Sequence, residues 1–216
     1  MHTVPDILTN ERVAVFIDYH NTLHALRRVG RQIDLVALRN YLSEGRHVVE
    51  TFLYVATHPT PDRQEADQAT LHHLRQSGFL IRSRTGQVLP NGRLKCDFDL
   101  EMALDVQEFV ARARPGIVVL VTGDGDFAPL AQRLRLQGIR VEVASVPGSI
   151  STALQAMANG FVDLTLLGQE VDNLSIPGAD ADFDAEPLLG PDAAFGEEEA
   201  IPLPLSPQEA GQACEP

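Results

Sequence analysis

Val13-Ala14-Val15-Phe16-Ile17-Asp18-Tyr19-His20-Asn21 and Ile117-Val118-Val119-Leu120-Val121-Thr122-Gly123-Asp124-Gly125-Asp126-Phe127 are the stretches whose reading decides the fold. Each opens with five consecutive apolar residues rich in β-branched side chains, and each ends in carboxylates. A run without polar alternation has no solvent face, as expected of a central parallel strand covered by helices on both sides. Further runs at Val48 to Val55, Phe79-Leu80-Ile81 and Val141-Glu142-Val143 alternate with longer segments carrying apolar residues at helical spacing. The body therefore reads as an α/β protein.

Helix boundaries are marked by their usual chemistry. Asp34 can cap a helix through about Leu42 that stops near Gly45, and Thr60-Pro61 supplies a cap and a first-turn proline for a helix ending at Gly78. Further helices are expected from about Phe98 to Ala113, from about Phe127 to Gln137 before Gly138, and after Ser149 or Ser151. Between Arg82 and Lys95 the turn-rich stretch Ser-Arg-Thr-Gly-Gln-Val-Leu-Pro-Asn-Gly-Arg-Leu reads as a long loop or a small hairpin. Loops of that length are uncommon unless functional.

Charge divides the chain. Of 216 residues, 17 are Lys or Arg and 30 are Asp or Glu, which excludes a wholly basic nucleic-acid-coating protein. Residues 169–216 hold 12 of those acids, seven prolines and no Lys or Arg, leaving residues 1–168 at 18 acids against 17 bases. Such a composition cannot bury enough apolar surface to offset the entropy of ordering it, so 169–216 is expected to be an acidic, Pro-rich disordered tail. The remainder divides into a short N-terminal extension, 1–10, and one domain, 11–168. Cys96 and Cys214 make no disulfide framework and no metal-binding CxxC, which fits a reducing, cytoplasmic setting. Met1 to Asn10 lacks the basic and apolar segments of a signal peptide, and no apolar run reaches the ~20 residues that span a bilayer, so no membrane association is expected.

The strand ends carry the candidate chemistry. In open parallel sheets the ligand crevice lies outside the carboxyl ends of the strands, where strand order reverses. Asp18 and the Asp124/Asp126 pair therefore fall on one rim, and Asp97-Phe98-Asp99 opens the helix after the long loop, with Glu101 and Asp105 further along it. Any one of these carboxylates is as readily explained as a helix cap. Three groups converging are not, because clustered carboxylates repel and raise one another's pKa unless a cation neutralises them. A set of Asp and Asn oxygens suits Mg²⁺ or Mn²⁺ better than Zn²⁺. His72 and His73 fall mid-helix, away from the rim, and His20 has no partner at metal-ligand spacing, so these read as surface or packing residues. Gly123-Asp124-Gly125 lacks the third glycine of a dinucleotide loop and aims carboxylates where phosphates would lie.

Taken together, Val15 to Asn21, Lys95 to Asp105, Val121 to Leu130 and Gly138 to Phe161 resemble, in order, the NYN-domain proteins of the LabA-like branch of the PIN-like nuclease superfamily. The resemblance spans about residues 11 to 168. It implies a PIN-like three-layer α/β/α sandwich with a central, mainly parallel sheet, and a metal-dependent nuclease centre that hydrolyses phosphodiester bonds by metal-activated water, on RNA in preference to DNA. By position, Asp18, Asp99, Asp124 and Asp126 match the family's catalytic and metal-holding aspartates, and Asn21 matches an asparagine that would orient a ligand or bond a substrate oxygen. Arg82, Arg84, Arg93 and Lys95, flanking the long loop, could hold the nucleic-acid backbone. Asp105 also matches a recurrent aspartate, but six residues of helix, some 600°, put it off the face of Asp99. His20 stands where smaller or acidic residues are more usual. A catalytically weak regulatory or binding module is the rival reading, and a homo-oligomer or a protein partner for the acidic tail stays open. Other Mg²⁺-dependent phosphotransfer folds fit less well: the first strand has no second Asp at +2, as a phosphatase of the haloacid dehalogenase type requires, and Asp18 where a Toprim domain has glutamate.

Overall fold

The computed structural model describes residues 11–32, 34–90 and 94–167; the extension 1–10 and the acidic tail 169–216 lie outside the described residues. In chain order its strands are β1 (Arg12–Asp18), β2 (His47–Thr57), β3 (Leu80–Thr85), β4 (Gln87–Val88), β5 (Leu94–Lys95), β6 (Ile117–Val121), β7 (Arg140–Ser145) and β8 (Gly160–Asp163). Six of them form one sheet in the order β3-β2-β1-β6-β7-β8, parallel throughout, while β4 and β5 make a separate antiparallel pair. The helices are α1 (Tyr19–Arg28), α2 (Leu35–Leu42), α3 (Pro61–Gln76), α4 (Asp99–Ala113), α5 (Ala128–Leu136) and α6 (Thr152–Met157).

The unbroken apolar runs serve two cores, one on each face of the sheet. Along β1, Val13, Val15 and Ile17 pack with Leu23 and Leu26 of α1, Leu38 of α2 and Leu74 of α3. Ala14 and Phe16, pointing the other way, pack with Met102 and Val106 of α4 and Leu134 of α5. Both faces of β1 and β6 are thus covered, and all five residues of Ile117–Val121 are buried. The result is the expected three-layer α/β/α arrangement.

Two elements were not legible beforehand. α1 follows β1 with no intervening loop, because Asp18 is at once the last strand residue and the N-cap, accepting the Asn21 N–H. β8 is four residues with only Phe161 and Val162 to mark it. The long 82–95 stretch resolves into an extension of β3 to Thr85 followed by the β4–β5 pair, and Ser151 rather than Ser149 caps α6.

Strand order runs outward from the centre in both directions, β1 to β3 on one side and β6 to β8 on the other. The crossover from one half to the other falls between β1 and β6, which pair in register from Val13↔Ile117 to Ile17↔Val121. Helices leaving these two strands go to opposite faces and open a crevice between them. Thr22 ties its edges together, its hydroxyl donating to the carbonyls of Asp18 and Val121 at 2.7 and 3.1 Å.

The chain after β6 is locked against the loop before α6. The Ser151 N–H donates to the Gly123 carbonyl at 2.9 Å, and a Cβ on Gly123 would lie 2.1 Å from the Ser149 carbonyl oxygen. The glycine before Asp124 is therefore a packing requirement, independent of any ligand. Gly123→Ala must push two backbone segments apart and is expected to cost about 2 kcal/mol, or about 6 °C in Tm. Thermal denaturation of the variant checks this, and an unchanged Tm would show that the two segments do not pack so closely.

Candidate metal centre

Of the aspartates at the crevice, Asp18 and Asp124 are helix caps and candidate ligands at once, and Asp97 holds the turn that opens α4. Asp18 Oδ1 accepts the Asn21 N–H at 3.2 Å, Asp124 Oδ1 accepts the Asp126 N–H at 2.9 Å, and Asp97 Oδ1 accepts the Asp99 N–H at 2.9 Å. Each cap fixes the carboxylate plane through one oxygen and leaves the other to face the crevice or solvent. The Asp124 N–H is held in turn by the Thr122 hydroxyl at 3.2 Å.

From these positions one oxygen each of Asp99, Asp124 and Asp126 lies within 4.8 Å of the others, the single such acidic trio among the described residues. Asp99 comes from the start of α4, and Asp124 and Asp126 from the turn after β6, so two elements distant in sequence meet here. Asp18 is outside the trio's span but lines the same cleft, of about 450 Å³, with Asn21, Asp97, Asp99 and Asp124. Asp126 is exposed at its margin.

The electrostatics follow from this crowding. Burial, reinforced by the charges of Asp99, Asp124 and Asp97 and opposed by the Asn21 N–H, pushes the Asp18 carboxyl up to about 7 from its ordinary 3.8. Asp99 is pushed up to about 6, again by burial first and then by Asp97, Asp124 and Asp126. Among the described residues no cationic side chain forms a salt bridge with any of these five carboxylates. All donors are hard oxygens, and the set fits Mg²⁺ or Mn²⁺.

The remaining candidates divide. Asn21 joins the site by structure, its side-chain oxygen accepting the Gly123 N–H at 2.8 Å and so binding the start of α1 to the turn that carries Asp124. Arg84 lies beside α4, ion-paired to Glu101 with its guanidinium carbon 4.8 Å from the centre of the Phe98 ring. Arg82 donates to Asp105 at 2.8 Å, and Asp105 also accepts the buried Tyr54 hydroxyl at 3.0 Å. Asp105 thus belongs to a network away from the acidic trio. Lys95 is on β5, but its side chain, like the whole of Arg93, lies outside the described residues. His72 and His73 are exposed on α3. His20 lines the cleft although its spacing offers no metal-ligand partner, as do Cys96 and Ser149 and, unanticipated, His24 and Arg28. For His20, His24 and Arg28 the signal was available in the i, i+4, i+8 spacing, once a helix begins at Tyr19.

A raised carboxyl pKa has a definite sign in stability. The folded state holds the Asp18 proton more tightly than the unfolded chain, so this contribution is present in full below about pH 4 and is lost as pH rises through about 7. In EDTA, Asp18→Asn, which keeps a good cap, is expected to raise Tm relative to the parent near pH 8 and to lose that advantage near pH 5. Melting curves across this range decide the matter; a deficit that grows toward pH 8 would show that ionised Asp18 stabilises the metal-free fold.

Comparison with known proteins gives a consistent picture. The sequence matches the NYN domain over residues 12–167. An uncharacterised protein of Methanocaldococcus jannaschii is 30% identical over 153 residues, covering 71% of this chain and 55% of its own length. This chain therefore spans about half of that relative. The low amplitude and bright protein LabA of Synechococcus elongatus is 23% identical over 188 residues, covering 83% of this chain and 96% of LabA. A crystal structure of a Vibrio parahaemolyticus protein of unknown function superposes with a TM-score of 0.59 at 28% identity, covering 71% of this chain and 93% of that one. With the domain match extending from β1 to the end of the described residues, the chain belongs to the NYN domain family, within the PIN-like nuclease superfamily.

Proposed function

We propose that this protein is a divalent-metal-dependent nuclease that hydrolyses phosphodiester bonds, with RNA preferred to DNA. The observation that carries the reading is the convergence of Asp99, Asp124 and Asp126 from two separate elements beside Asp18, whose carboxyl is pushed toward neutrality. A fold tolerates such a cluster mainly when a cation discharges it. The preference for RNA rests on membership of the superfamily alone.

In this reading Asp99, Asp124 and Asp126 hold the cation, and Asp18 adds its free Oδ2 from the β1 side once its proton is gone. When bound, Mg²⁺ or Mn²⁺ polarises the phosphate, offsets the charge building on its oxygens and makes water a better nucleophile. The chain's own contribution is orientation. Three backbone N–H caps fix the planes of Asp18, Asp124 and Asp97, and Asn21 fixes the distance between the start of α1 and the Asp124 turn. No side-chain nucleophile is required. Because Asp18 and Asp99 must ionise to bind a cation, activity should rise with pH through about 6 to 7.

The test is incubation of the purified chain with labelled single-stranded RNA and DNA in Mn²⁺, Mg²⁺ or EDTA. Cleavage with metal and none in EDTA is expected, with Asp124→Asn reducing the rate by about 100-fold or more. Metal binding without cleavage under any of these conditions would favour the regulatory or binding module instead. Cleavage undiminished in EDTA would exclude the metal centre.

A further inference from the structure

The cleft does not end at the carboxylates. It continues along α1, which presents His20, His24 and Arg28 to it, one per helical turn, while Leu94, Cys96 and Phe98, from the segment leading into α4, also line it. At 1.5 Å per residue, His20 and Arg28 are about 12 Å apart, so the groove extends beyond the single phosphodiester at the acidic trio. Its carboxylates come from Asp18, Asp97, Asp99 and Asp124, while its α1 side bears imidazole and guanidinium groups. A guanidinium and imidazole donors spaced along one side of a cleft can hold the backbone of a single strand.

Two details set this wall apart from the arginines bordering the hairpin. Arg82 and Arg84 are ion-paired with Asp105 and Glu101, whereas Arg28 makes no ion pair with any described residue and sits exposed near the end of α1. His20 has a donor to spare. Its Nε2 accepts the Ala56 N–H at 2.9 Å, which places the hydrogen on Nδ1, and Nδ1 has no partner among the described residues. A buried donor left unsatisfied is costly, and an oxygen of a bound strand, or a water it displaces, would complete it.

Building on the nuclease reading, we infer that the α1 wall of His20, His24 and Arg28 is the track for the substrate strand, holding phosphates that flank the scissile bond of a single-stranded nucleic acid. On this account the strand lies between α1 and the β5–α4 segment, and a paired duplex binds less well than a single strand. Arg28 is a substrate-binding residue on this account, and His20 a hydrogen-bond donor toward the strand.

The experiment compares the full-length parent with Arg28→Glu, His20→Gln and, as a control, Arg112→Glu, which lies 13 residues along α4 from Asp99, about 20 Å away. His20→Gln keeps an acceptor for the Ala56 N–H and moves the donor from the ring Nδ1 position to the amide nitrogen. Binding of a short fluorescein-labelled single-stranded RNA is followed by anisotropy across a salt series in EDTA. Steady-state cleavage is then measured in Mn²⁺, with the same sequence as a hairpin duplex for comparison. Arg28→Glu should weaken binding on the order of tenfold and flatten the salt slope by about 0.7, raising KM while kcat holds; His20→Gln should raise KM less. The control should match the parent, and the duplex should bind poorly. If Asp124→Asn abolishes cleavage but Arg28→Glu leaves KM and the salt slope unchanged, the track is wrong and the nuclease reading stands. A parent chain that neither binds nor cuts single strands removes both.

Discussion

Everything at the candidate site depends on the reversal of strand order between β1 and β6. Two parallel strands that pair in register must end side by side, and chains leaving them toward opposite faces leave a gap that no other element fills. Asp18 and Asp124 border that gap because they are the first carboxylates after two of the most buried runs in the molecule. α4 brings Asp99 to the same place from the far side of the hairpin segment. Moving either strand by one residue would turn its terminal carboxylate to the other face of the sheet. The apolar register that makes the core thus also sets the spacing of the acids.

The same residues resolve an apparent choice between structural and functional explanations. Asp18, Asp97 and Asp124 do cap local turns, as the simpler explanation requires. Capping occupies one oxygen and leaves another, and it does so in a setting where burial and mutual repulsion oppose ionisation. A set of caps alone has no need to gather so closely. The lock between Gly123 and the loop at Ser149 holds the Asp124 turn at short range to the others, at the cost of a position where no larger side chain fits.

How far the sequence could be read follows from the kind of signal each element leaves. Central parallel strands and capped helices were plain because each is written in adjacent residues, as Val13 to Ile17 and Thr60-Pro61 illustrate. α1 was hidden because a strand running straight into a helix has no turn residues to mark the change, and Asp18 is both the last strand residue and the helix cap. Its concealment removed His24 and Arg28 from view as well. The hairpin-side arginines were visible as charges, but their pairing with Asp105 and Glu101 is a property of how β3 lies against α4, which no local pattern records. The family's aspartates were legible by position, yet the separation of Asp18 from the Asp99, Asp124 and Asp126 trio, and the placing of Asp105 with Tyr54, required the fold.

The central claim is that the acidic cluster exists to hold a divalent cation, and its most direct measurement is Mn²⁺ binding by calorimetry on the full chain at about pH 6 and about pH 8, in buffers of different ionisation enthalpy. Because Asp18 and Asp99 hold protons near neutrality, Mn²⁺ should bind more tightly at the higher pH and should expel protons at the lower one. Absence of Mn²⁺ binding at either pH, or binding of equal strength at both with no proton released, would contradict it.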